Sequence, residues 1–112
     1  MVVDFNKMAE EAKPNFKGGL KEYNVKMFTD ETNKIMHGRL VPGASIGFHT
    51  HETDQEVIYI LEGEGSLVDE EGNTLETVVP GQATYCAKGE SHSLMNKSEE
   101  DLIFFAVVTA LD

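Results

Sequence analysis

A chain of 112 residues with 40% hydrophobic and 26% charged residues carries enough apolar material for one compact core and too much for intrinsic disorder. Its formal net charge of -11 opposes a phosphate backbone, so no nucleic-acid partner is expected, and no membrane span either. The most apolar stretch, Leu102 to Val108, falls far short of the ~20 residues that cross a bilayer as a helix.

The start, Met-Val-Val-Asp-Phe-Asn, lacks the basic and apolar parts of a secretory signal, and the lone Cys86 forms no internal disulfide, which together predict cytoplasmic residence. Asp4 is a candidate N-cap, and Phe5, Met8, Ala9 and Ala12 follow at helical spacing. A short amphipathic helix is therefore predicted over residues 5–13, ended by Pro14. Residues 1–18 form an N-terminal arm, and residues 19–112 the barrel of a single domain, 1–112. Beyond Gly18-Gly19 the pattern changes to short runs rich in Val, Ile, Phe, Tyr and Thr between glycines, prolines and acidic residues.

The predicted strands are residues 22–28, 34–41, 45–50, 55–62, 65–69, 73–79, 83–86, 91–96 and 102–109, an all-β pattern. Gly72 supplies the positive φ for a hairpin at 69–73. Val41-Pro42-Gly43 and Val79-Pro80-Gly81 each suit a type II turn leading toward histidine. This internal echo predicts two antiparallel halves closed into a sandwich or barrel. The run Leu102 to Val108 shows little alternation, as in a strand covered on both faces, and a second copy of the chain is the expected second cover. A homodimer is predicted.

The four histidines stand at 37, 49, 51 and 92, three of them near the two Pro-Gly turns. In His49-Thr50-His51 a strand directs both imidazoles to one face, close enough to share an ion. Glu56 opens the next strand and can return beside them, and His92 joins from a distant segment. Gln55 competes with Glu56, because a slip of one residue exchanges their faces. Three neutral imidazoles and one carboxylate suit one divalent transition metal ion, Fe, Mn, Co, Ni, Cu or Zn, whereas Ca and Mg prefer more oxygen.

The segment GASIGFHTHETDQEVIYILEG, Gly43 to Gly63, resembles the first motif of the cupin superfamily through Gly43, His49, His51, Glu56 and Gly63. GQATYCAKGESHSLMN, Gly81 to Asn96, resembles the second through Gly81, Gly89, His92 and Asn96, departing at Ala87 where the family has proline. The resemblance implies a double-stranded β-helix, a jelly-roll-like barrel, with metal held by the residues matching His49, His51, Glu56 and His92. Family functions range over dioxygenation, isomerisation, decarboxylation, sensing and storage, so the fold alone fixes no reaction.

His37 shares strand parity with Arg39 and Val41. It is a candidate acid or base in the pocket, or a structural residue, and Arg39 is a candidate anion clamp or a solvated side chain. Of Tyr85 and Cys86, one faces the interior; Tyr85 is a candidate catalytic group and Cys86 a packing residue. Tyr59 is expected to face away from the metal into core packing. Met27, Phe28, Met36, Phe48, Leu94, Met95, Phe104 and Phe105 are expected to build the core and an apolar pocket wall. The expected function is metal-dependent action on a small organic molecule, as a dioxygenase-type oxidoreductase or an isomerase or lyase. The alternative is a metal-bearing binding module for a sugar or small anion.

Overall fold

A computed structural model describes residues 1–111. Among them lie ten strands in chain order: β1 (Glu11–Pro14), β2 (Glu22–Thr29), β3 (Asn33–Leu40), β4 (Ser45–Thr50), β5 (Asp54–Glu62), β6 (Gly65–Val68), β7 (Thr74–Val78), β8 (Ala83–Cys86), β9 (Ser91–Met95) and β10 (Leu102–Ala110). Two antiparallel sheets, ordered β1-β2-β3-β10-β5-β8 and β4-β9-β6-β7, face each other as the double-stranded β-helix that the two motifs imply. No described helix is long and apolar enough to cross a membrane.

The core lies between the sheets because inward residues alternate along each strand. Leu102, Phe104 and Ala106 of β10, Ile58 and Ile60 of β5, Met36 and Leu40 of β3 and Tyr23 and Val25 of β2 are all buried. Full burial of each large side chain among them stabilises the fold by roughly 1.5–3 kcal/mol. Gly38 lies within this layer, where a Cβ would come 2.5 Å from the Phe104 ring. Both Pro-Gly turns close as type II geometry requires. Gly43 and Gly81 have φ of 85° and 92°, and the Ala44 and Gln82 amides donate to the Val41 and Val79 carbonyls.

All nine predicted strands are present, 45–50 and 83–86 with the predicted ends and the others with ends shifted by one residue, but the helix over 5–13 is not. A single 3-10 turn, Phe5–Lys7, capped by Asp4, gives way to β1, which joins the edge of β2. An isolated helix of so few residues is unstable in water, whereas the open edge of β2 offers backbone partners, and an edge strand tolerates Pro14. The run Leu102 to Val108 is not covered equally on both faces. Leu102, Phe104 and Ala106 are fully buried, whereas Ile103, Phe105 and Val107 are only half-buried on the outer face.

Candidate metal centre

The ladder between β4 and β9 sets His49 directly opposite His92. An irregularity between Ile46 and His49 re-aims the end of β4, so that His49 and His51 both reach inward while Thr50 turns outward to the Ser91 hydroxyl. Glu56 shares the inner face of β5 with Ile58 and Ile60 and is buried. Gln55 points the other way, its amide oxygen accepting from the Tyr85 hydroxyl at 3.0 Å. The parity of β5 therefore selects Glu56 over Gln55.

One ligand atom from each of His49, His51, Glu56 and His92 falls within 4.8 Å of the others. The Nε2 atoms of His49 and His51 are 3.1 Å apart, those of His51 and His92 2.9 Å, and Glu56 Oε1 lies 3.0 Å from His92 Nε2 and 3.3 Å from His51 Nε2. Adjacent ligands around an ion with bonds of about 2.1 Å at right angles are separated by about 3.0 Å, so the spacing accommodates a transition metal. His49 Nδ1 lies 2.7 Å from the Gly47 carbonyl and His51 Nδ1 2.6 Å from Asp54 Oδ1. Donation to these acceptors leaves both Nε2 lone pairs turned toward the common point, an arrangement that repels unless a cation fills it.

Electrostatics bear differently on the three shifted groups. Burial alone would raise the Glu56 carboxyl, but the imidazoles of His51 and His92 outweigh it and hold the group at about 2, as the carboxylate a metal requires. Burial, reinforced by His92 and His51, lowers His49 against the opposing pull of the Gly47 carbonyl. His51 is raised by its contact with Glu56, with Asp54 adding to the effect.

In front of the cluster opens a cavity of about 330 Å³. Its walls include Phe16, Tyr23, Met27, Met36, Ile46 and Val108, with Lys17 and Lys34 at the mouth beside Glu52 and Asp54. A smaller cavity of about 180 Å³, bounded by Leu67, Thr84 and Cys86, touches the cluster only through His92. Burial pushes the Cys86 thiol up to about 11, which suits packing rather than nucleophilic attack.

His37, Arg39 and Tyr85 all lie outside the larger cavity, and Tyr85 borders the smaller one. His37 and Arg39 occupy the outer face of β3, alternating with the buried Met36, Gly38 and Leu40. The His37 ring meets Phe5 at a tilt with centroids 5.7 Å apart, its Nδ1 buried without a hydrogen-bond partner. Arg39 is held by Glu10 at 2.6 Å and Asp101 at 3.4 Å. Tyr85 is 62% exposed on the outer face of β8, whereas Cys86 is inside. Tyr59 does face away from the cluster, but into solvent at 42% exposure rather than into core packing. Among the expected core aromatics, Phe48 is exposed and Phe105 lies half-buried on the outer face.

Phe16, Lys17, Tyr23 and Lys34 are cavity residues that sequence reasoning missed. Parity along β2 points Tyr23, Val25 and Met27 inward together, a signal that was present. Nothing in the sequence marks Phe16 and Lys17, which reach the mouth through a backbone conformation.

The fold, the two motifs and the clustered imidazoles define a cupin, and the cupin-domain model matches residues 36–108, so the chain belongs to that family. It is 34% identical over 119 residues to an oxalate-binding protein of Thermotoga maritima, a match covering 99% of this chain and 95% of that one. The beta-alanine degradation protein BauB of Pseudomonas aeruginosa is 33% identical over 70 residues, covering 62% and 74%. Among solved structures, a Thermotoga maritima protein described as a predicted oxalate decarboxylase superposes with a TM-score of 0.87 at 32% identity, covering 99% of this chain and all of that one.

Proposed function

We propose that the chain holds one divalent transition metal ion through His49, His51, Glu56 and His92, and presents it to the larger cavity to bind a small organic anion. The observation that carries this reading is the convergence of three imidazole nitrogens and one carboxylate oxygen within 4.8 Å of one another, beside a cavity whose lining holds two lysines. When bound, the ion supplies a Lewis-acidic site for ligand oxygens. Glu56 offsets its charge, Asp54 and the Gly47 carbonyl hold His51 and His49 in the ligating tautomers, and the apolar wall excludes water from the bound anion.

Recognition is favoured over turnover because His37, Arg39 and Tyr85 lie outside the larger cavity, which among the described residues holds no imidazole beyond the cluster. The name of the Thermotoga maritima relative, an oxalate-binding protein, supports a carboxylate as the class of anion. Dioxygenase-type oxidation, or an isomerase or lyase reaction, is the second reading, and rests on the cluster opening directly onto the cavity.

Two copies are inferred to pair through the outer face of the six-stranded sheet, where Val57, Tyr59, Leu61 and Tyr85 are 40% or more exposed beside the half-buried Ile103, Phe105 and Val107. The single buried thiol, Cys86, supports cytoplasmic residence.

Elemental analysis of protein purified without added metal tests the ligand set. One transition-metal ion per chain is expected, and the double variant His49→Ala with His92→Ala should lose it. An unaltered metal content in that variant overturns the assignment. Calorimetric titration of the metal-loaded protein with oxalate then tests the anion.

A further inference from the structure

The cavity in front of the cluster is larger than a bare dicarboxylate requires, and one part of its lining, made by Phe16, Met27, Met36, Ile46 and Val108, is apolar. Its volume of about 330 Å³ is on the order of ten times the roughly 30 Å³ that one water occupies in the liquid. Oxalate consists of two carboxylates and exposes no hydrocarbon, so an apolar wall gives it nothing while stripping water from its oxygens. An apolar patch set beside a cluster of polar groups is the construction of a site for a ligand with a polar head and an apolar body.

The wall is also built to stay in place. Tyr23, 2% exposed, is sandwiched between Phe16 at 5.4 Å and the stacked Phe104 ring at 5.8 Å. Its hydroxyl has one hydrogen-bond acceptor, the Met36 thioether at 3.7 Å, which is a weak one. A phenol so placed in the cavity wall retains a donor for a ligand oxygen. Met27 and Met36 add unbranched, polarizable surface that conforms to varied hydrocarbon shapes. At the mouth, Lys17 holds its ammonium 5.5 Å from the Phe16 ring, and Lys34 lies on the opposite strand. Glu52 and Asp54 match the two lysines in number, and with Asp54 engaged by His51 the ammonium groups remain able to contact an incoming anion.

We propose that the preferred ligand is an organic carboxylate carrying a branched or aromatic hydrocarbon body: its carboxylate approaches the metal and accepts from the Tyr23 hydroxyl, and its body lies against Phe16, Met27, Met36 and Val108. This rests on the reading of the cluster as a metal site for a small anion, and narrows the class of anion.

Isothermal titration of the zinc-loaded protein with oxalate, pyruvate, 4-methyl-2-oxopentanoate and phenylpyruvate tests it. At least one of the two acids with a hydrocarbon body should bind tenfold or more tightly than pyruvate, and more tightly than oxalate. Met27→Gln should reduce that ratio several-fold, and Tyr23→Phe should weaken all the acids together. Oxalate binding more tightly than every extended acid, or equal affinities for pyruvate and the extended acids, overturns the inference and leaves the anion site standing. Zinc retained with no carboxylate bound overturns both readings. Should Met27→Gln fail to fold, the affinity ratios of the unaltered chain decide by themselves.

Discussion

At the residue scale the site depends on groups that do not touch the ion position. His51 is directed by Asp54, whose carboxylate sits 2.6 Å from Nδ1 and holds Nε2 toward the cluster. Asp54→Asn keeps the shape and removes the charge, so the amide can present either face to the ring. Loss of such a supporting carboxylate typically weakens metal binding by about 10–100-fold. That loss should appear in competition titrations against a chelator, with the fold unchanged by circular dichroism. Full retention of affinity would mean that Asp54 plays no part in directing His51. The ligand atoms themselves were legible in the sequence because strand parity is strict: His49 and His51 are two apart, and Glu56 shares parity with Ile58 and Ile60. The supporting groups were harder to see. Asp54 carries no motif mark in the sequence, and Asn96 stands there only as a motif landmark. Asn96 is in fact fully buried, and its amide ties the Leu40 and Glu100 carbonyls at 2.8 and 2.7 Å.

At the element scale the segment Asn15–Lys21 decides how the mouth of the cavity is shaped. Asn15, Lys17 and Lys21 have φ of 49°, 55° and 54°, in the left-handed region that costs a non-glycine residue of order 1 kcal/mol or more. The strain is offset by backbone contacts: Asn15 donates to the Lys21 carbonyl at 2.7 Å, Ser45 to Leu20 at 3.0 Å, and Leu20 to the Ser45 hydroxyl at 2.9 Å. Gly47 permits this approach, since a Cβ there would collide with the Lys17 carbonyl oxygen, a backbone atom unable to yield cheaply. Gly47→Ala should therefore destabilise the chain by about 1–3 kcal/mol, the usual cost of overpacking. Because His49 Nδ1 rests on the Gly47 carbonyl, metal binding should weaken with it. Thermal denaturation with and without metal measures both effects, and an unchanged melting temperature would show that the segment is not fastened at Gly47. Sequence patterning found the nine strands but misread residues 5–13, because helical spacing is informative only when no sheet edge competes for the same backbone. Phe5 meets His37 and Phe105 from a 3-10 turn.

At the scale of the whole molecule, a net charge of -11 opposes self-association, so two copies can meet only where carboxylates are sparse. The outer face of the six-stranded sheet meets that condition. Tyr85, Val57, Val107 and Ile35 lie in register across β8, β5, β10 and β3, followed by Ala83, Tyr59, Phe105 and His37, and at the margin Arg39 pairs with Glu10 and Asp101, offsetting one of their two charges. A stable pair needs about 800 Å² from each partner, roughly an eighth of the chain's 6446 Å² of accessible surface. Light scattering after size exclusion should give twice the mass of the chain. The sign of the salt dependence separates this interface from an ion-paired one. Raising ionic strength from about 0.01 to 0.15 M shortens the screening length from about 30 to 8 Å. It should therefore relieve repulsion between the acidic remainders and tighten the pair, because no cross-interface charge pair is lost. Tyr59→Glu would set a carboxylate at the centre of the patch in each copy and should yield the monomer at low salt, with metal content unchanged because Tyr59 faces away from the cluster. Weakening of the pair by salt, or a Tyr59→Glu variant that remains dimeric, would place the contact on another face.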